Sequence, residues 1–216
     1  MDQMIIKTSE LLYLQEASKA LKQKNFQIIN SCIMGIDNDA VVCYLDLDVN
    51  QFPVYSPIDG FVINARELSA FIKTIMLESE FILEPAEFNS LKISTMNGIM
   101  YFRELPFELK NKMLADKLYS VKQMIHNFPL GCASQEVEVT SEISELFSLK
   151  KDDGCIYYKH QDKYFMTLFS GLLPINKSDK VFISIFSGNT TTVFNAVFRV
   201  AKKKFNIYIC VAYLYI

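Results

Sequence analysis

The sequence predicts an α+β protein of two similar halves, each with two helices packed on antiparallel sheet, joined by a helical connector. Three observations lead there. Apolar residues recur at helical spacing in four short segments, period-2 runs rich in Val, Ile, Phe and Tyr lie between them, and this order occurs twice. The two occurrences are separated by a stretch of a third kind, so the expected domains are 1–104, a connector over 105–129, and a shorter second domain over 130–216.

The first half opens with a short strand over 4–7. Ser9 then caps a helix running to Lys24, with Leu11, Leu14, Ala17 and Leu21 on one face and Lys19 and Lys22 on others. Strand-like runs follow at 26–34 and 40–47, separated by the turn signal Gly35-Ile36-Asp37-Asn38-Asp39. Shorter strands are predicted at 52–56 and 60–63, around Ser56-Pro57-Ile58-Asp59-Gly60. Asn64 caps a second helix to Met76, with Leu68, Phe71, Ile72 and Ile75 inward and Arg66 and Lys73 projecting from one side. Strands near 80–84, 90–95 and 99–103 complete this half, with Asn97-Gly98 as a hairpin signal.

In the second half Glu136–Thr140 reads as a strand and Ser141 caps a helix to Lys150. Strands at 154–159, 163–169 and 180–187 come next. A helix from Thr191 to Lys204 is expected to pack through Val193, Phe194, Val197 and Ala201, before a last strand over 206–215. In the connector, Leu109, Met113, Leu118, Val121 and Ile125 mark an apolar stripe, and Lys110, Lys112, Lys117 and Lys122 occupy other faces.

Composition narrows the function. Half the 216 residues are hydrophobic and 21% are charged, which supplies a core and excludes wholesale disorder. The net charge of −2 argues against a generally basic nucleic-acid binder, though not against a chain with positive charge on one surface. The five cysteines are odd in number and show no C-x-x-C pair, as expected of buried thiols in a reducing, intracellular setting. The N-terminus lacks the basic segment and long apolar core of a signal peptide. The apolar tail Phe205–Ile216 is about half the ~20 residues a membrane helix needs, so no membrane partner is expected.

Motifs of catalysis are missing. The sequence holds no G-x-S-x-G, G-x-x-x-x-G-K or H-E-x-x-H. Ser187-Gly188-Asn189-Thr190 has one glycine and no lysine, and reads as helix capping rather than a phosphate loop. Asp37, Asp39, Asp46 and Asp48 read as solvated turn and edge charges, and His126 and His160 lack sequence neighbours that would orient them. The expectation is a non-enzyme with no catalytic residue, no metal and no cofactor.

The charge pattern says more. The first two predicted helices each carry a slight basic excess through Lys19, Lys22, Lys24, Arg66 and Lys73, and the fourth holds Arg199, Lys202, Lys203 and Lys204 without an acid. The third, with Glu142 and Glu145 against Lys150 and Lys151, is neutral. Four helices on one side of continuous sheet would make that side positive and leave the other negative. Lysines so placed bind phosphates through counterion release, without reading sequence.

Three stretches carry a family resemblance. Leu11 to Asp48, an amphipathic helix followed by Phe26-Gln27-Ile28-Ile29-Asn30 and Val41-Val42-Cys43-Tyr44-Leu45-Asp46-Leu47, resembles the opening of a sliding-clamp domain. Phe52-Pro53-Val54-Tyr55 through Phe61-Val62-Ile63-Asn64 resembles its middle, and Thr192–Phe198 to Tyr208 is similar in style to its end. The likeness is to the two-domain clamps of archaea, eukaryotes and T4-like phages, whose domains each place two helices inside a ring and sheet outside. It implies a processivity factor that holds a replicative polymerase on double-stranded DNA, with DNA polymerase and a clamp loader as partners and a homotrimer as the assembly. It also implies that Lys19, Lys22, Arg66, Lys73, Lys150, Arg199, Lys202 and Lys203 face DNA.

Two departures bear on ring closure: the connector is a lysine-bearing helix, and the second half has one strand after its last helix where the first has three. Two alternatives follow. One is a clamp-fold accessory factor that does not encircle DNA, as in herpesvirus polymerase subunits. The other is a viral or phage assembly protein with no DNA role.

Overall fold

The computed structural model describes residues 4–29, 31–35, 41–75, 80–104, 137–138, 155–160, 163–168, 175, 179–185, 196–211 and 214–215. The chain divides into two compact units, one of Met1–Ile36 with Leu45–Asn111 and one of Asp37–Tyr44 with Lys112–Ile216. The fold is α+β, with antiparallel strand pairing throughout the described ladders.

The first unit runs β1 (Ile5–Lys7), α1 (Thr8–Leu21), β2 (Asn25–Ile29), β3 (Cys32–Gly35), β4 (Val41–Asp46), β5 (Phe61–Asn64), α2 (Ala65–Ile72), β6 (Glu80–Ile82), β7 (Glu84–Ala86), β8 (Ser90–Thr95) and β9 (Gly98–Glu104). Strand β4 straddles the division, with Val41–Tyr44 in the second unit. In the first unit the main sheet has the order β3-β2-β5-β9-β8-β7, and β1 pairs with β6 separately.

The register reveals an internal pseudo-twofold arrangement. Lys7, the last residue before α1, pairs with Glu80, the first residue of the strand after α2. Asn64, the last residue before α2, pairs with Asn25, the first residue of the strand after α1. Each helix is therefore bracketed by strands that pair with the strands bracketing the other, and the two helices lie side by side and antiparallel. Helix α1 buries Leu11, Leu14, Ala17 and Leu21, each leucine contributing roughly 1.5–3 kcal/mol of transfer free energy. Helix α2 buries Leu68 and Phe71 over Phe81, whose ring meets Phe71 edge-on at 5.7 Å.

Several expected elements shift. The run 26–34 is a hairpin, turned at Ser31 in the left-handed region (φ 60°). Residues 52–56 form no strand: Pro53 and Pro57 remove ladder donors, and Phe52, Ser56 and Ile58 are buried as anchors of an ordered loop. Helix α2 ends at Ile72, so Lys73 is its C-cap residue rather than part of the helix.

The second unit contains β10 (Val137–Glu138), β11 (Cys155–His160), β12 (Lys163–Leu168), β13 (Lys180–Ile185), β14 (Ala196–Ala201), β15 (Asn206–Val211) and β16 (Leu214–Tyr215). Its strands order as β10-β13-β14-β15 and β11-β12-β16. The main correction falls here. The helix expected over 191–204 is strand from Ala196 to Ala201, laddered on both sides. Val197, Phe198 and Val200 are β-branched or aromatic and buried, and two partner strands satisfy the backbone, so sheet wins over local helical spacing. The connector over 105–129 and the helix over 141–150 lie outside the described residues.

Candidate nucleic-acid interface

Among the described residues, the helix pair of the first unit brings together basic residues from two predicted helices. Helix α1 exposes Ser9, Leu12, Glu16 and Lys19 as one stripe, and α2 exposes Arg66 and Ala70, continued by Lys73. These stripes lie opposite the apolar faces that pack inward. Because the helices are antiparallel, the C-terminal end of α1 meets the N-terminal end of α2. The Ala65 amide donates to the Lys24 carbonyl at 2.9 Å, and Asn64 Nδ2 donates to Asn25 Oδ1 at 3.0 Å. Lys19, Lys22 and Lys24 are thus gathered at the same end of the pair as Arg66.

The local chemistry explains the placement. Asn64 Oδ1 accepts from the amides of Arg66 (2.9 Å) and Glu67 (3.2 Å), which starts α2 and sets where Arg66 stands. Glu67, the acid beside Arg66, is held by Arg103 of β9 at 2.9 Å. At the start of α1, Glu10 Oε2 accepts from the Lys7 amide at 3.0 Å. Over 7–24 and 64–75 there are six basic and three acidic side chains; Glu10 and Glu67 are engaged in this way, and Glu16 has a partner of its own. Among the described residues no carboxylate pairs with the exposed side chains of Lys19, Arg66 or Lys73.

The remaining candidates separate from this group. Lys22 is half-buried at a left-handed C-cap (φ 57°) and has a partner of its own. Lys150 lies outside the described residues. Arg199 is not on a helix: its guanidinium lies 4.1 Å from the Phe182 ring centroid and donates to Asn206 Oδ1 at 3.3 Å. Lys202 is ion-paired with Asp179, and both side chains are nearly buried, at 13% and 11% exposure. Lys203 is exposed on the β14–β15 turn, which the Lys202 amide closes on the Phe205 carbonyl at 2.8 Å. The residues expected to supply a fourth basic helix therefore form a sheet and its hairpin.

Lys24, outside the set that the resemblance turns toward DNA, is exposed at the helix junction. The Lys19-x-x-Lys22-x-Lys24 spacing across the end of α1 is the sequence signal that points to it.

No set of three metal-ligating side chains is gathered among the described residues, and none of their helices is long and apolar enough to cross a membrane. Asp46 of β4 accepts from the Cys32 thiol of β3 at 2.9 Å, and Asp48 Oδ1 accepts from the Asn50 amide at 2.9 Å in a local turn. Cys32, Cys43 and Cys210 are buried thiols outside any disulfide. Burial, with a smaller contribution from Cys43, holds the Cys210 thiol well above its ordinary range.

No family model matches the sequence, and no curated protein matches it. Solved structures similar to it include the DNA polymerase III β subunit of Pseudomonas aeruginosa, at 11% identity and TM-score 0.42, covering 99% of this chain and 64% of that one. The A. fulgidus PCNA bound to the C-terminal region of FEN-1 matches at 11% identity and TM-score 0.38, over 99% of this chain and 98% of that one. The Bacillus subtilis DNA polymerase sliding clamp matches at 11% identity and TM-score 0.41, over 99% and 64%. The chain thus spans less than two thirds of the length of the bacterial clamps it matches.

Proposed function

We propose that this chain is a clamp-fold processivity factor, which holds a polymerase on double-stranded DNA through phosphate contacts made by its helix pair. The observation that carries the reading is the antiparallel pairing of α1 and α2, which brings Lys19, Lys24 and Arg66 to one end and leaves their charge facing away from the core. Such a surface offers point charges and no side-chain array suited to base edges, so its affinity is indifferent to sequence. The resemblance of residues 11–48 and 52–76 to a clamp domain supports the same reading.

A non-encircling factor is the form of this function favoured by one further observation. Arg199 and Lys202, two of the residues expected to complete a basic surface in the second unit, are engaged by Phe182, Asn206 and Asp179. On this reading the chain binds DNA through the first unit, and a trimeric ring is unnecessary.

Duplex DNA affinity measured across a range of salt tests the function. Alanine at Lys19, Lys24 or Arg66 is expected to weaken binding about equally on unrelated sequences, and to lower the salt slope by roughly one for each phosphate no longer neutralised. Wild-type protein with no salt-dependent affinity for duplex DNA, alone or with its polymerase, would overturn the function. Solution mass with and without DNA separates the forms: a trimer supports encirclement, a monomer or dimer the open factor.

A further inference from the structure

The end of the first unit opposite the basic helix junction has a different character. At this end lie the start of β5, the end of β9, the β2–β3 turn, the β7–β8 turn and the loop from Leu47 to Gly60. The register places them together: Phe61 pairs with Glu104, Arg103 with Ser90, and the Leu47 amide donates to the Ser31 carbonyl at 2.9 Å. The β7–β8 turn stands two strands from β5, roughly 10 Å away at ordinary strand spacing.

Two features project large apolar groups here. In the β7–β8 turn, Phe88 and Asn89 both have left-handed backbones (φ 56° and 51°), and the Phe88 side chain is 94% exposed. A bulky residue at positive φ is strained, and this one buries nothing in return. In the 47–60 loop, Tyr55 is 95% exposed beside exposed Val54, with Val49 exposed nearby. That loop is held firmly from below: Phe52 and Ile58 are buried, Asp48 Oδ1 accepts from Asn50, and the Asp48 amide donates to the Tyr13 hydroxyl at 2.8 Å. The aromatic groups are therefore displayed on pre-ordered backbone, as binding anchors are.

The charged side chains of the turn and the loop that display them are all acidic. Residues 46–60 and 87–90 contain Asp46, Asp48, Asp59 and Glu87 and no lysine or arginine, with Glu104 at the end of β9 adding another acid. The adjacent Arg103 is held by Glu67. We propose that this end of the first unit docks a partner-protein segment that carries apolar or aromatic side chains flanked by lysine or arginine. The acidic rim attracts the basic flanks, while Phe88 and Tyr55 supply the apolar contact. The same rim repels nucleic acid, so this surface works independently of the helix pair.

The test is selection of random 12-residue peptides, displayed on phage, against the full chain. The expected result is an enriched pool of apolar residues flanked by basic ones, with synthetic members binding at least about tenfold more weakly to Phe88→Asn and to Tyr55→Ser. Glu87→Lys is expected to weaken the same peptides, and Arg66→Ala to leave them unaffected. Asparagine tolerates the left-handed backbone better than phenylalanine, so Phe88→Asn should melt no lower than wild type, and a loss of binding cannot be charged to misfolding. Failure to enrich such a pool, or equal binding to the Phe88→Asn/Tyr55→Ser variant, overturns the proposal. So does light scattering in which wild type self-associates and that double variant does not, since a second copy would then be the occupant.

Discussion

Asn64 tests the helix-pair architecture most directly, because one side chain performs three tasks. Its Oδ1 accepts from the Arg66 and Glu67 amides, and its Nδ2 donates to Asn25 across the β2–β5 ladder. Losing the cap costs about 1 kcal/mol, and losing the amide bond to a half-buried partner about another 1 kcal/mol. Asn64→Ala should therefore destabilise the chain by about 2 kcal/mol, a large part of the margin of a small domain. Asn64→Asp keeps the cap and places a negative charge at a helix N-terminus, so it should lose only about 1 kcal/mol or less. The pseudo-twofold mate behaves differently: the cap of α1 is made by Glu10 on the Lys7 amide, so Lys7→Ala should fall within about 0.5 kcal/mol of wild type and Glu10→Ala should cost about 1 kcal/mol. Urea titrations of the four variants, read by helical circular dichroism, give these differences as midpoint shifts at constant slope. An Asn64→Ala variant as stable as wild type, or a Lys7→Ala loss matching that of Asn64→Ala, would refute the reasoning.

Lys202→Ala removes the ion pair with nearly buried Asp179 and should cost about 1–3 kcal/mol in chemical denaturation, whereas exposed Lys203→Ala should cost less than about 0.5 kcal/mol; equal effects would show that the ion pair is solvated. Gly35→Ala would place a Cβ 2.5 Å from Gln23 Cγ, so it should lower stability by about 1–3 kcal/mol in thermal melts, and the double variant with Gln23→Ala should recover part of that loss. Cys210 is buried and held protonated, so mass spectrometry after iodoacetamide near neutral pH should find it unmodified in native protein and modified in urea; rapid native labelling would contradict its burial.

Local features were legible in the sequence alone. Leu11, Leu14, Ala17 and Leu21, and Leu68 with Phe71, repeat at the helical period, and α1 and α2 bury these residues. Asn64 is legible as a cap because capping joins residues two and three apart. Residues 191–204 show where such reading fails: Val193, Phe194, Val197 and Ala201 fit a helical face, yet Val197–Val200 also suits a strand, and period alone cannot separate a short buried strand from a helix. The choice belonged to β13 and β15, whose ladders offered backbone partners on both sides of β14. Tertiary structure likewise decided which positive charges are available. Arg199 and Lys202 resemble Lys19 and Arg66 in sequence, but Phe182, Asn206 and Asp179 are brought to them by strand pairing, while the joining of Asn25 to Asn64 leaves Lys19, Lys24 and Arg66 exposed at one end of a helix pair. Pairings between residues far apart in the chain, as in β2 with β5 and β1 with β6, depend on burial and register summed over the whole unit, and no window of sequence contains them.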